Sequence, residues 1–206
     1  YINTDSRKRV YANASVGYGE SPVPSDPYKE FFTEINFRAS DRLSFAYGVL
    51  GSSDESNFGW VDDDGTLDHI IYGRRDVSTI SNEAFIQFAF TSRMNVSFRG
   101  RHYWSKAHYL EYYFLNRDGS LSPTDFIGNA DISYNQFNID MNFYWELAPG
   151  SYLTAAWKND ISQNDQVTEH DYFDNVNKTY HTPKSNKLSI KLIYFLDYQN
   201  LKRHHA

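Results

Sequence analysis

Between Phe137 and Leu147 an apolar or aromatic residue recurs at every second position: Phe137, Ile139, Met141, Phe143, Trp145 and Leu147. Asn138, Asp140, Asn142, Tyr144 and Glu146 fill the gaps. A helix would scatter the apolar set around its axis, whereas an extended strand gathers it on one side, so the period predicts a strand with one apolar and one polar face. The chain reverses at Pro149 and Gly150 and continues through Leu153, Ala155 and Trp157, alternating with Thr154, Ala156 and Lys158. Strands of water-soluble domains run to about five or six residues, and a strand that spans an outer membrane needs roughly nine to eleven. The length of the first arm fits the second class.

The same period recurs along the chain and predicts further strands, eight in total with the two arms of this hairpin. Residues 10–18 alternate through Val10, Ala12, Ala14, Val16 and Tyr18, and residues 31–38 through Phe31, Thr33, Ile35 and Phe37. Leu43, Phe45, Tyr47 and Val49 mark a third strand; Ala84, Ile86, Phe88 and Phe90 mark a fourth, with a less regular start over 70–80. The fifth carries Met94, Val96, Phe98, Gly100, His102 and Trp104 on one side and Asn95, Ser97, Arg99, Arg101 and Tyr103 on the other. Leu188, Ile190, Leu192, Tyr194 and Leu196 mark the last.

Connections sort by length. Those at 40–41, 91–93 and 148–150 are two or three residues, whereas 20–27, 52–67, 113–129 and 162–185 are long. Pro22, Pro24 and Pro27 keep the first long connection out of any ladder. Strict alternation of short and long ends is the habit of outer-membrane barrels, with short periplasmic turns and long external loops. The chain is therefore predicted to be all-β, an antiparallel up-and-down transmembrane β-barrel in which residues 1–206 form one domain. It is either a closed small barrel of about eight strands or the C-terminal part of a larger one.

On this reading Phe37, Phe45, Phe88, Val96, Phe98, Phe143, Leu153, Ile190 and Leu192 face lipid. Glu34, Arg38, Arg99, Arg101, Asp140, Asn142, Glu146, Lys158 and Lys191 line the lumen. Their mixed signs suit charge pairing across an interior better than the one-signed ring of an ion-selective pore. Trp104 lies eleven residues beyond Arg93. At about 3.3 Å per residue and a tilt near 40°, that is roughly 25–28 Å above the short turn. Tyr103 and Trp104 are assigned to the outer aromatic girdle and Trp145 to the inner one.

Composition supports this picture and excludes others. Aromatic residues make up 17 % of the chain although its mean hydropathy is −0.65. That combination suits strands that are polar on one face, capped by aromatic interfaces. The chain has no cysteine, which removes a disulfide framework and a thiolate metal site. It contains no apolar run of about eighteen residues, as a membrane helix requires. A formal charge of −6 offers no basic face for nucleic acid. The sequence opens at Tyr1 without an export signal and reads as a piece of a longer exported polypeptide. The expected location is the outer membrane of a Gram-negative bacterium, with the lipid bilayer as partner.

Little in the chain points to reaction chemistry. Asp62, Asp63, Asp64 and Gly65 offer oxygen ligands but lack the later glutamate of a calcium loop, so they read as an acidic turn with no metal. No cofactor motif occurs. His102, His108, His170 and His181 would serve an outer-membrane hydrolase only if one stood beside Ser or Asp at the rim. A soluble lipid- or sugar-binding barrel is the other competing reading; it would turn Phe143, Leu153 and Leu192 into a core.

Several stretches together resemble one family. They are Asn3-Thr4-Asp5-Ser6-Arg7-Lys8, Tyr72-Gly73-Arg74-Arg75-Asp76, Phe90-Thr91-Ser92-Arg93-Met94-Asn95-Val96-Ser97-Phe98, Trp145-Glu146-Leu147-Ala148-Pro149-Gly150-Ser151 and Lys191-Leu192-Ile193-Tyr194-Phe195-Leu196-Asp197-Tyr198. The family is the uncharacterised Bacteroidota-type outer-membrane family in which an N-terminal domain similar to carbohydrate-binding module family nine precedes a C-terminal barrel. The resemblance implies upstream strands and a glycan-binding-like domain in the same polypeptide. It also implies a membrane anchor or passive, porin-like pore associated with glycan handling at the cell surface. It supplies no catalytic residue.

Overall fold

Seven of the eight alternating segments lie wholly in strands of the computed structural model, and the last does so up to Ile193; the structure describes residues 1–20, 27–63, 70–166 and 171–196. Pro22, Pro24, Asp64, Gly65, His170, Asp197 and Tyr198, named above, lie outside these residues. In chain order the strands are β1 (Ile2–Asn3), β2 (Val10–Glu20), β3 (Pro27–Arg38), β4 (Leu43–Asp62) and β5 (Ile71–Thr91). After them come β6 (Met94–Leu115), β7 (Leu121–Pro123), β8 (Ile132–Ala148), β9 (Ser151–Asp165), helix α1 (Tyr172–His181) and β10 (Ser185–Ile193). They form one sheet in the order β1-β2-β3-β4-β5-β6-β8-β9-β10, with β7 added to β6. Every pairing is antiparallel.

The sheet is open. Among the described residues no ladder joins β10 to β1 or β2, so the closed eight-stranded alternative is not what this chain forms. At the other end of the sheet β1 folds back onto part of the edge of β2, setting Ile2 beside Ala14 and Asn3 beside Asn13.

Short turns gather at one end of the sheet, as the connection lengths require. Leu43 N–H and Arg42 N–H donate to the Ser40 hydroxyl in the first turn. At the last, Gly150 takes φ +79°, a conformation that costs glycine nothing and other residues much.

At the other end the strands outrun the expected boundaries. β4 continues through residues 52–62, read above as a loop, and β6 reaches Leu115 rather than stopping at Trp104. β10 runs three residues earlier at each end than the 188–196 alternation indicated. The polar extensions hold because each has a neighbour to complete its ladder, with register shifts between Asp54 and Asn57 and between Trp60 and Asp62. Backbone pairing there overrides composition.

A tight cluster fixes these extensions. Gly59 and Gly73 stand opposite each other, both buried, and Tyr109 and Arg75 close over them. The Tyr109 hydroxyl donates to the Trp60 carbonyl at 2.9 Å and accepts from Arg75 Nη1 at 2.8 Å, while Arg75 Nε donates to Asn57 Oδ1 at 3.0 Å. Tyr109 stacks on Tyr112, which meets Phe126 edge to face, so the 116–131 connection is anchored to the same group.

Helix α1 occupies part of the 162–185 stretch, whose polar composition predicts a connection. Its N-cap Asp171 accepts from Phe173 N–H and Asp174 N–H, and Lys178 and His181 sit in its last turn, where the helix dipole favours cations. It buries Asn175 and Thr179, one turn apart, against the sheet, while Phe173 and Tyr180, which with Val176 make up its apolar stripe, stay exposed, so the stripe is not the face that docks. Asn175 Nδ2 donates to Asn135 Oδ1 at 2.5 Å, and Thr182 Oγ1 donates to Gln163 Oε1 at 2.9 Å. Tyr172 packs over the face of β5 and β6: Asn82 Nδ2 donates to its oxygen at 2.7 Å, His102 Nδ1 lies 3.1 Å away, and its ring meets those of His102 and Trp104.

Two outcomes follow from this packing. A Cβ on Gly73 would lie 2.3 Å from Tyr109 Cδ1, whereas one on Gly100 meets no heavy atom within 4 Å. Gly73→Ala should therefore cost about 1–3 kcal/mol in denaturant unfolding, and Gly100→Ala close to nothing.

Burial, with a smaller contribution from Tyr47, raises the Tyr172 phenol above its ordinary value. A raised pKa stabilises the docked helix fully below the free phenol's pKa of about 10, and that stabilisation is lost as pH climbs through the folded value. Protection factors across 172–181, which are corrected for the base catalysis of exchange itself, should fall at alkaline pH in the native protein, and Tyr172→Phe should remove that fall.

Candidate functional site on the polar face

Antiparallel partners directly opposite each other project to the same side of a sheet, so the ladders trace each face across all strands. One line runs Val10, Phe37, Phe45, Ile86, Phe98, Met141, Trp157 and Leu188. The adjacent line on the opposite face runs Tyr11, Asn36, Ala46, Phe85, Arg99, Asp140, Lys158 and Lys187. The next polar line runs Asn13, Glu34, Gly48, Glu83, Arg101, Asn138, Asp160 and Ser185. The polar face carries both signs of charge, with carboxylates at Glu34, Glu83, Asp140 and Asp160 and cations at Arg99, Arg101, Lys158 and Lys187.

Those charges meet in pairs and triads. Arg101 Nη2 lies 2.8 Å from Asp140 Oδ2 and Lys158 Nζ 3.6 Å from Asp140 Oδ1, placing one carboxylate between two cations. Asp140 is the least exposed of the three, as expected for the shared partner. Arg99 Nε pairs with Glu83 at 3.3 Å and its guanidinium lies over the Phe85 ring. Glu34 accepts from Asn36 at 2.7 Å and from Asn13 at 3.2 Å, and Asn138 donates to Asp160. An open concavity of about 520 Å³ runs along this network, lined by Arg101, Gln136, Asn138, Asp140, Lys158 and Lys187 among others. A second of about 250 Å³, lined by Glu34, Gly48, Leu50, Ser81, Glu83 and Phe85, opens on the same face. Such a surface presents hydrogen-bond donors and acceptors of both charge signs. Among the described residues it assembles no nucleophile with a base.

All nine residues assigned above to a lumen lie on this face: Asn142 stands beside Ser97, Glu146 beside Tyr152, Lys191 beside Thr154, and Arg38 beside Ser44. All nine assigned to lipid lie on the other: Phe88 and Val96 are partners, as are Phe143 and Ala155, Ile190 and Ala155, and Leu153 and Leu192. Trp145, between Met94 and Leu153, shares the apolar face near the short turns. Tyr103 and Trp104 point to opposite faces, as neighbours in a strand must, so they do not form one girdle. Trp104 is only 4 % exposed, covered from the α1 side by Tyr172, and its Nε1 donates to Ser133 Oγ at 3.1 Å.

Sequence reasoning passed over Glu83, Asp160 and Lys187. Glu83 immediately precedes the patterned half of its strand, and its phase with Gln87 was the signal that could have placed it beside Arg99.

Among the histidines, His108 Nδ1 lies 2.8 Å from Asp131 Oδ2, whose other oxygen accepts from Tyr109 N–H at 2.7 Å. No serine or threonine hydroxyl is bonded to this pair among the described residues. His102 is buried against Tyr172, and His181 bonds the Asn177 carbonyl within its own helix.

No curated protein matches the chain. No solved structure matches it either. One family does, over residues 1–205, and its description is a domain of unknown function. With almost its whole length matched, the chain belongs to the DUF5916 family.

Proposed function

We propose that the chain is a wall segment of an outer-membrane β-barrel, with its apolar face in lipid and its polar face toward a lumen. The observation that carries this is the exposed apolar face. Val10 is 56 % exposed, Phe37 43 %, Phe98 37 % and Leu188 68 %, although the ladders set all of them on one line. A continuous apolar surface of this extent is far larger than water-soluble monomers tolerate, and lipid is the solvent that suits it. From the short turns to the level where α1 docks, the band is roughly 25 Å tall, the height of the apolar belt of such barrels.

A soluble binding barrel would turn the same residues into a packed interior. Among the described residues the buried apolar side chains are Trp104, Ala107, Tyr109 and Ile161, too few to be that interior.

The free edges of β10 and of the β1–β2 end favour a segment of a larger barrel, because unpaired backbone groups are costly in lipid and strands from elsewhere in the polypeptide would satisfy them. Mixed charge on the polar face favours a passive, hydrated or plugged interior over an ion-selective one. Association with glycan handling rests on the resemblance to the outer-membrane family that carries a glycan-binding-like domain upstream.

Substitution on neighbouring positions tests the assignment. Phe98→Arg puts a charge near the middle of the belt and should cost about 2–4 kcal/mol, blocking assembly into the outer membrane. Ser97→Arg, on the face of Gln87 and Asn142, should leave assembly near normal. Heat-modifiable mobility in outer-membrane fractions reads both. Equal tolerance of the two would overturn the reading.

A further inference from the structure

The short-turn end of the sheet concentrates cations that the acidity of the whole chain conceals. Arg7, Lys8 and Arg9 before β2, Arg38 at the end of β3 and Arg42 in the following turn line one concavity of about 380 Å³. Asp41 is the carboxylate among its lining residues. Arg7 is bonded to Asp5, with Nε 3.0 Å from Oδ1. Lys8, Arg9, Arg38 and Arg42 make no ion pair among the described residues. Like charges brought together without partners repel, and an anion seated between them relieves that cost.

The local structure holds these groups in place. Arg38, Ser44 and Gln87 share one register line on the polar face. The Arg38 guanidinium lies over the Tyr11 ring, 5.3 Å from its centroid, which restrains its plane. Arg38 N–H donates to the Arg9 carbonyl at 2.8 Å, fixing the two segments side by side, and the Ser40 hydroxyl fixes the backbone at Arg42. The guanidinium fork suits a tetrahedral oxyanion, and Ser44 and Gln87 add neutral donors.

We propose that this concavity binds a phosphate-bearing anion through Arg9, Arg38 and Arg42, with Lys8 as an additional point charge. A soluble phosphate ester and the headgroup of an anionic phospholipid share that chemistry. The position of the site at the periplasmic mouth of the lumen rests on the barrel reading; its affinity for phosphate does not.

The test is calorimetric titration of the detergent-solubilised protein with inorganic pyrophosphate, paired with flotation on phosphatidylcholine vesicles with and without phosphatidylglycerol. Saturable pyrophosphate binding that weakens by about tenfold or more in R38Q/R42Q, and that persists in Arg117→Gln at the opposite end, supports a soluble phosphate ligand. Binding only to phosphatidylglycerol vesicles, lost in the same variant, supports the headgroup. R9Q and R42Q singly, on residues outside the ladders, serve if the double variant fails to assemble. No saturable binding to either probe, or binding unchanged by these substitutions, overturns the proposal. Tolerance of Phe98→Arg alongside intact pyrophosphate binding would defeat the barrel reading alone.

Discussion

Register is the constraint on which this structure depends. Seven consecutive ladders keep Val10, Phe37, Phe45, Ile86, Phe98, Met141, Trp157 and Leu188 on one line. A slip of one residue in any of them would carry a whole strand's apolar set to the polar face and its charges to the apolar one. The two faces therefore select the register together. The apolar side chains need a common environment, and the Arg101, Asp140 and Lys158 triad and the Arg99 and Glu83 pair form only when their strands are in phase. Few side chains are buried among the described residues of the sheet, so its apolar face lacks the second packed layer that a soluble domain sets against such a face.

Helix α1 marks the upper end of the apolar band. The helix meets the apolar side of the sheet where its residues turn polar, at Asn82, Asn135 and Gln163, and it does so with Asn175 and Tyr172 rather than with an apolar stripe. Hydrogen bonds to a polar patch give the helix a unique seat without competing for the surface below it. Beyond this level β4, β5 and β6 continue as a three-stranded extension, held by the Tyr109 and Arg75 cluster over paired glycines.

The sequence was legible wherever alternation was strict. Phe137 to Leu147 and Met94 to Trp104 could be assigned to strand and to face from period alone, since the structure of a strand leaves its side chains no other option. It was not legible where partners decide. Residues 52–62 carry serine and acidic groups that suit a loop, and they become strand because 71–79 lie alongside to pair with them. The helix over 172–181 carries an apolar period in Phe173, Val176 and Tyr180, but it docks through Asn175 and Thr179, because the surface it meets is itself polar. The burial of Trp104 followed from that helix and was hidden with it. On the polar face the cations and carboxylates could be named individually, but which met which depended on diagonal neighbours across ladders, as with Arg101 and Asp140.

The central proposal is that Phe143 and Asn142, which lie on opposite faces of β8, meet lipid and lumen respectively. Nitroxide labels at Phe143→Cys and Asn142→Cys in protein assembled in bilayers test it most directly, through collision with oxygen, which concentrates in lipid, and with a water-soluble nickel chelate. The account predicts that the label at 143 favours oxygen and is shielded from nickel, with the order reversed or nickel access higher at 142. Equal nickel access at both positions, or a label at 143 shielded from both reagents, would contradict it.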